Sequence, residues 1–198
     1  MRILLLVHQY LPEHRAGTEV YTHSLARDLA ARHEVLVYCH DSRLDGTHTR
    51  YQEEVYDGVH VRRVAAWLGD AHPGALLTFR NDYRNPEIES DCAHLLDTWR
   101  PDIVHVQHLK QLSAGILQHC AARGIPVVMT LHDYWALCPN GQFVRPNRRI
   151  CQGTLARLEC GWCAADRLGQ PLLAAAAPAM LPLFWARDRY LRRQLAHV

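Results

Sequence analysis

Two short apolar runs separated by one amphipathic helix constrain this chain most. Ile3 to Val7 and "HEVLVYC" from His33 to Cys39 are each bounded by polar residues, the pattern of strands buried on both faces. Between them Tyr21, Leu25 and Leu29 recur at four-residue spacing beside Ala26 and Ala30, which predicts one apolar helical stripe, with Thr18 after Gly17 placed to cap its start. The first 39 residues therefore read as a β-α-β unit.

The alternation resumes further on. "DIVHVQ" from Asp102 predicts a strand, "LSAGILQHCAARG" a helix closed by Gly124, and "IPVVMTLHD" from Ile125 another strand. "YQEEVYDGVHVRRV" alternates on either side of Asp57-Gly58 and predicts a hairpin or edge-strand excursion. A further helix is expected over roughly 87–99. The fold class is α/β, a Rossmann-like parallel sheet with helices on both faces. A length of 198 residues, 48% of them hydrophobic and 21% charged, suits one such core.

A net charge of +2 gives no reason to expect nucleic acid, although the basic side chains are almost all arginine. The opening "MRILLLVHQY" is too short in apolar length for a secretory signal, so the cytoplasm is the expected compartment. Seven cysteines there do not suggest a disulfide framework.

In an open parallel sheet, ligands gather at the carboxyl ends of the strands. The first strand ends at His8, and the following loop leads to Gly17 and Thr18 at a helix start, where free N–H groups and the helix dipole favour a phosphate. A single glycine also serves as a simple turn, and both readings stand at this point. The later strands end in "VHVQH" and "LHDYW", which puts His105, His108, His132 and Asp133 at the same sheet edge. Most of the 14 histidines must be ordinary surface or supporting residues. His132 stands out, because an imidazole there can bond a sugar hydroxyl or phosphate while Asp133 orients it. The spacings contain no H-E-x-x-H, which argues against a zinc hydrolase.

The runs "PEHRAGTEVYTHSLARDLAARHEVLVY", "RPDIVHVQH" and "PVVMTLHDYWALCPNGQ", in that order, resemble the N-terminal domain of family 4 glycosyltransferases, the retaining GT-B enzymes. That resemblance implies the acceptor-side half of a transferase that moves a sugar from a nucleotide-sugar donor to a glycan, lipid-linked or other acceptor. It implies that Gly17 and Thr18 contact the donor diphosphate, that His132 contacts the donor sugar beside Asp133, and that Glu13 and His108 lie towards the acceptor. No catalytic metal is expected. The resemblance also implies a C-terminal donor-binding domain carrying a glutamate pair, supplied by a longer chain or a separate subunit, without which these 198 residues are not an efficient transferase. A non-catalytic carbohydrate-binding or scaffolding half-domain is the alternative.

Cys138, Cys151, Cys160 and Cys163 are separated by twelve, eight and two residues, and the last pair forms a C-x-x-C knuckle. Four thiolates in a stretch rich in Gly, Pro, Asn and Arg point first to a structural zinc site ordering that loop, with an iron–sulfur cluster, a pair of disulfides or four unlinked thiols as the competing readings. The expected layout is one domain over 1–198, with a cysteine-rich loop over about 134–166 and a helical segment over about 168–198. The latter is apolar from Pro171 to Ala186, then arginine-rich, and reads first as a helix packing on protein. Its alternative is peripheral contact with the inner face of a membrane, Arg187, Arg189, Arg192 and Arg193 meeting lipid phosphates.

Overall fold

The structure, a computed structural model, describes residues 1–67, 74–152, 157–167 and 177–198. They form two compact units, Met1–His132 with Gln194–Val198, and Asp133–Arg193.

The first unit is built on a six-stranded sheet. Its strands are β1 (Arg2–Val7), β2 (Glu34–His40), β3 (Tyr51–Tyr56), β4 (Val59–Val64), β5 (Ile103–Val106) and β6 (Val127–Met129), in the order β3-β4-β2-β1-β5-β6. β1 lies between β2 and β5 and is parallel to both. A strand so flanked keeps no face in water: Leu4, Leu5, Leu6 and Val7 are fully buried, as the apolar run predicts. β4 adds parallel to β2, β6 parallel to β5, and only β3 runs antiparallel, paired with β4. The β3–β4 turn is Asp57-Gly58, with φ of 47° and 79°. Two successive positive φ values are what a two-residue hairpin of matching twist requires.

Helix α1 (Gly17–Ala30) joins β1 to β2, but its buried side is not centred on the expected stripe. Ala26 and Thr22 are fully buried, Leu25, Leu29 and Ala30 flank them, and Tyr21 is 46% exposed. Small residues let the helix lie close to the sheet, which turns Tyr21 aside. Between β4 and β5 come α2 (Ala75–Asn81), which the sequence pattern did not indicate, and α3 (Pro86–Trp99). The Asn85 side chain caps α3 by accepting from the N–H groups of Glu87 and Ile88, at 3.1 and 3.3 Å, with Pro86 opening the first turn. Helix α4 (Ile116–Ala122) is shorter than its apolar pattern suggested, beginning only after Gly115.

The second unit holds α5 (Leu158–Arg167), a 3₁₀ turn (Ala177–Met180) and most of α6 (Leu181–Leu195). The expected long cysteine-rich loop is thus partly helical: Cys160 and Cys163 lie on α5. Packing accounts for the glycine between them. A Cβ on Gly161 would stand 2.8 Å from the Cβ of Ala177 and 2.9 Å from its carbonyl oxygen, a contact only glycine permits. On α6, Phe184, Arg187 and Leu191 are buried. Arg187 donates to the carbonyl of Trp135, so of the four arginines considered for lipid phosphates only Arg189, Arg192 and Arg193 face solvent. Among the described residues no helix is long and apolar enough to cross a membrane. The tract over 168–176 lies outside the described residues.

Asn85→Ala removes the α3 cap and should cost about 1–2 kcal/mol. Urea denaturation should show a lower midpoint with an unchanged m-value.

Candidate active site

All five parallel strands end on one edge of the first unit, and the loops leaving them carry the polar side chains. His8 follows β1, and Gln107 and His108 follow β5. The N–H groups of Gln107 and His108 both donate to the carbonyl of Leu6, at 2.7 and 3.2 Å. The end of β5 is thereby stitched to the end of β1, and the His8 and His108 rings meet with centroids 4.4 Å apart. His108 Nδ1 accepts from the N–H of Lys110 at 3.0 Å, which leaves the proton of its neutral ring on Nε2.

The start of α1 enters the same edge. Glu19, with its side chain 2% exposed, accepts from the N–H of Ala16 at 3.1 Å and faces His8 Nε2 at 3.4 Å. A buried carboxylate needs such partners. The first intrahelical bond runs from Val20 N–H to the Ala16 carbonyl, so the N–H groups of Gly17 and Thr18 precede the helical ladder. No atom of the described residues lies within 4 Å of the Cβ position of Gly17, which leaves that position open to close approach. One turn later, the Tyr21 ring stands edge-on to the His132 ring, at 5.2 Å between centroids.

His132 lies beyond β6 and is joined back to β5. Its Nε2 is 2.8 Å from Oε1 of Gln107, a residue 1% exposed. His105 Nε2 lies 2.8 Å from Thr130 Oγ1. Burial, and secondarily His132, lowers the pKa of His105 below the usual histidine value, which favours its uncharged ring.

Glu13 occupies a separate part of this edge, in a network of charges. Its carboxylate meets Arg43 at 2.5 Å and Arg63 at 3.6 Å. Arg63 is 1% exposed, pairs with Glu54 at 2.7 Å, and donates to the carbonyl of Leu11 in the β1–α1 loop. Arg43 also holds Asp41, at 2.6 Å. Burial of Asp41 works against its charge, but hydrogen bonds from Arg43 and the charges of Arg43 and Arg63 prevail and lower its pKa.

Of the residues singled out by sequence, Gly17, Thr18, His108 and His132 thus lie on the strand-end edge, while Glu13 is engaged with two arginines. Asp133 belongs to the second unit, where its Oδ1 accepts from the N–H of Trp135 at 2.7 Å. Glu19, Tyr21 and Gln107 escaped the sequence reading. Glu19 was legible as the third residue after the helix-capping position. Gln107 had no signal beyond its place between two histidines of one strand end.

The structure does not support the zinc expectation. Among the described residues no group of three or more His, Cys, Asp or Glu side chains is placed to hold a metal ion, and Cys138, Cys151, Cys160 and Cys163 are free thiols. Three of the thiols take part in hydrogen bonds. Cys138 Sγ donates to Asn140 Oδ1 at 3.0 Å, Asn140 Nδ2 donates to Cys163 Sγ at 3.5 Å, and Arg157 Nη1 donates to Cys160 Sγ at 3.9 Å.

A surface concavity of 790 Å³ lies along the far half of α1, between His23 and His33. Because His33 leads into β2, it adjoins the amino ends of the strands, away from the edge just described.

Comparison with known proteins adds three findings. A family model described as "Glycosyl transferase 4-like domain" matches residues 16–159. No curated protein matches the chain in sequence. A solved structure described as trehalose-6-phosphate from E. coli bound with UDP-2-fluoro glucose aligns at 11% identity and a TM-score of 0.38, over 67% of this chain and 33% of that one.

The pKa of Asp41 gives a test of the charged network. Its folded value lies below the unfolded one, so the charged form stabilises the fold above the unfolded value of about 4, and the contribution is lost as pH falls through the folded value. Asp41→Asn should lower stability at pH 7 and flatten its decline between about pH 5 and 2, as read from denaturant midpoints across that range.

Proposed function

Since the chain belongs to the glycosyl transferase 4-like domain family, we propose that it forms the acceptor-side half of a retaining glycosyltransferase that takes its sugar from a nucleotide-sugar donor. The observation that carries this reading is the convergence of the α1 start, Tyr21 and His132 on one edge of the sheet. A donor-binding domain, in a longer chain or a partner subunit, completes the cleft.

Each group has a role that its chemistry permits. Gly17 and Thr18 offer backbone N–H groups to the donor diphosphate, and the open space over Gly17 admits it. The helix dipole and these N–H groups meet the charge that grows on the leaving diphosphate. Glu19 is itself an anion in that neighbourhood, but its charge is taken up by Ala16 N–H and by His8. His132 bonds a hydroxyl of the donor sugar. His108 and Glu13 face the acceptor, a glycan or lipid-linked hydroxyl. Glu13 is held in place by Arg43 and Arg63 rather than left to rotate.

The chain joined to its donor domain provides the assay. His132→Ala should lower kcat/KM about tenfold, the worth of one good hydrogen bond, with an unchanged circular dichroism spectrum. Gly17→Val, whose Cβ meets no atom of the described residues within 4 Å, should fold normally yet lower turnover by roughly a hundredfold through loss of phosphate approach. Wild-type turnover in both variants would refute this assignment.

A further inference from the structure

The chain leaves β1 through α1 to reach β2 and leaves β5 through α4 to reach β6, while β1 and β5 are neighbours. The two crossovers therefore run away from each other. Such a reversal opens a crevice above the carboxyl ends of the two strands, the place where open α/β sheets take their ligands. Two loops border it. The β1–α1 loop lies with the helix layer that covers Ile3, Leu5 and Val7. The β5–α4 loop lies with the opposite layer, towards which Tyr38 of β2 turns its hydroxyl, 3.0 Å from Asp91 on α3. His8 and His108 meet at this crevice, and two residues beyond His108 stands Lys110. We propose that Lys110 is a specificity-determining residue that bonds a phosphate group carried by the acceptor, so that the acceptor is a phosphorylated compound rather than a neutral glycan.

Three observations support this role. Of the 22 lysine and arginine side chains, Lys110 is the single lysine. An ammonium is a compact charge with three rotating donors, able to follow a phosphate that approaches from several directions, whereas a guanidinium favours one planar fork. Secondly, Lys110 is half-buried, yet among the described residues its ammonium meets no carboxylate or hydrogen-bond acceptor. Arg62 and Arg63, on the same sheet, are each held by carboxylates. Thirdly, the loop that carries Lys110 is rigid. Gln111 and Ser113 hold φ of 60° and 148°, costly conformations that persist only where the surroundings fix them. The Gln111 N–H donates to the Asp82 carbonyl and the Ala114 N–H to that of Tyr83, both at 2.9 Å. Ser113, fully buried, donates to Glu89 at 2.6 Å and accepts from the Gly115 N–H at 3.2 Å. On the other side the Lys110 N–H donates to His108 Nδ1 at 3.0 Å.

The division of labour follows from the two faces of the sheet. Gly17 and Thr18, at the start of α1, serve the donor diphosphate in the reading given above, and the cation on the opposite layer, beside His108, serves the acceptor. A neutral acceptor would leave the ammonium half-buried without a partner. Discrimination arises from that missing charge-assisted bond. Soluble sugar phosphates and lipid diphosphates share the group required.

This proposal rests on the acceptor-side reading of His108, and the test separates the two. Reductive methylation with ¹³C-formaldehyde preserves the charge of an amine, and in the 198-residue chain it labels one lysine besides the amino terminus. The Lys110 signal should shift and saturate with glucose 6-phosphate or with farnesyl diphosphate, and stay still with glucose. Whichever of the two phosphates saturates at the lower concentration identifies the source as a soluble sugar phosphate or a lipid diphosphate. Uridine diphosphate, standing for the donor, should act only at higher concentration than that probe. Lys110→Met should weaken binding of the same probe about tenfold or more, the worth of a hydrogen bond to a charged group, as read from ³¹P line broadening with an unchanged circular dichroism spectrum. Lys110→Arg, which keeps the charge, should recover most of it. A signal that neither phosphate moves, equal binding by Lys110→Met, or tightest binding of uridine diphosphate would overturn the proposal. If the signal saturates as stated while Gly17→Val and His132→Ala, joined to the donor domain, both turn over like wild type, the donor-site assignment falls and the phosphate site at Lys110 stands.

Discussion

Burial of β1 on both faces and along both edges is the constraint on which the rest depends. A strand between two parallel neighbours can only be reached through crossovers, and crossovers deliver every strand in the same direction. The polar residues that follow the apolar runs must then emerge together. His8, Gln107, His108 and His132 are far apart in sequence yet share one edge because Leu6, Val106 and Met129 run side by side beneath them. A polar substitution at Leu5 or Leu6 would disturb the site by loosening that alignment, without touching any residue in it.

The second requirement is that the loops leaving this edge be held. Arg63 does so for the β1–α1 loop. A guanidinium 1% exposed would be severely destabilising alone, but here it bonds the Leu11 carbonyl, Glu54 and Glu13. The arrangement ties the first loop to β4 and to the hairpin strand β3. Arg62 does the same for α3, bonding Asp91 at 2.6 Å while crossing the Tyr51 ring. Buried ion pairs contribute little net stability as a class, yet removal of one partner leaves an uncompensated charge. Their effect here is to fix the geometry of loops that a weaker contact would leave mobile.

The sheet was legible in the sequence because two-sided burial writes itself as unbroken apolar runs, and the hairpin because Asp57-Gly58 names its own turn. The α1 stripe was read one position astray. Thr22 and Ala26 are weakly apolar, so periodicity favoured the larger Tyr21, which instead faces His132. The strand-end histidines were legible from topology alone. Their partners were not, since a hydrogen bond between Gln107 and His132, 25 residues apart, leaves no mark in local pattern. The surroundings of the cysteines were not legible either. Their spacing suggested coordination, but spacing does not reveal that Cys160 and Cys163 sit on a helix packed through Gly161 against Ala177, or that Asn140 meets two of the thiols.

The central claim is that the carboxyl-end edge of the sheet receives the nucleotide-sugar. Hydrogen–deuterium exchange on the chain joined to its donor domain, with and without a nucleotide-sugar that supports turnover, tests it directly. The account predicts slower exchange in peptides covering 8–20 and 107–109 and in the segment around His132, with none along the far half of α1 near His23 to His33. Protection confined to that far half, or to the second unit alone, would contradict it.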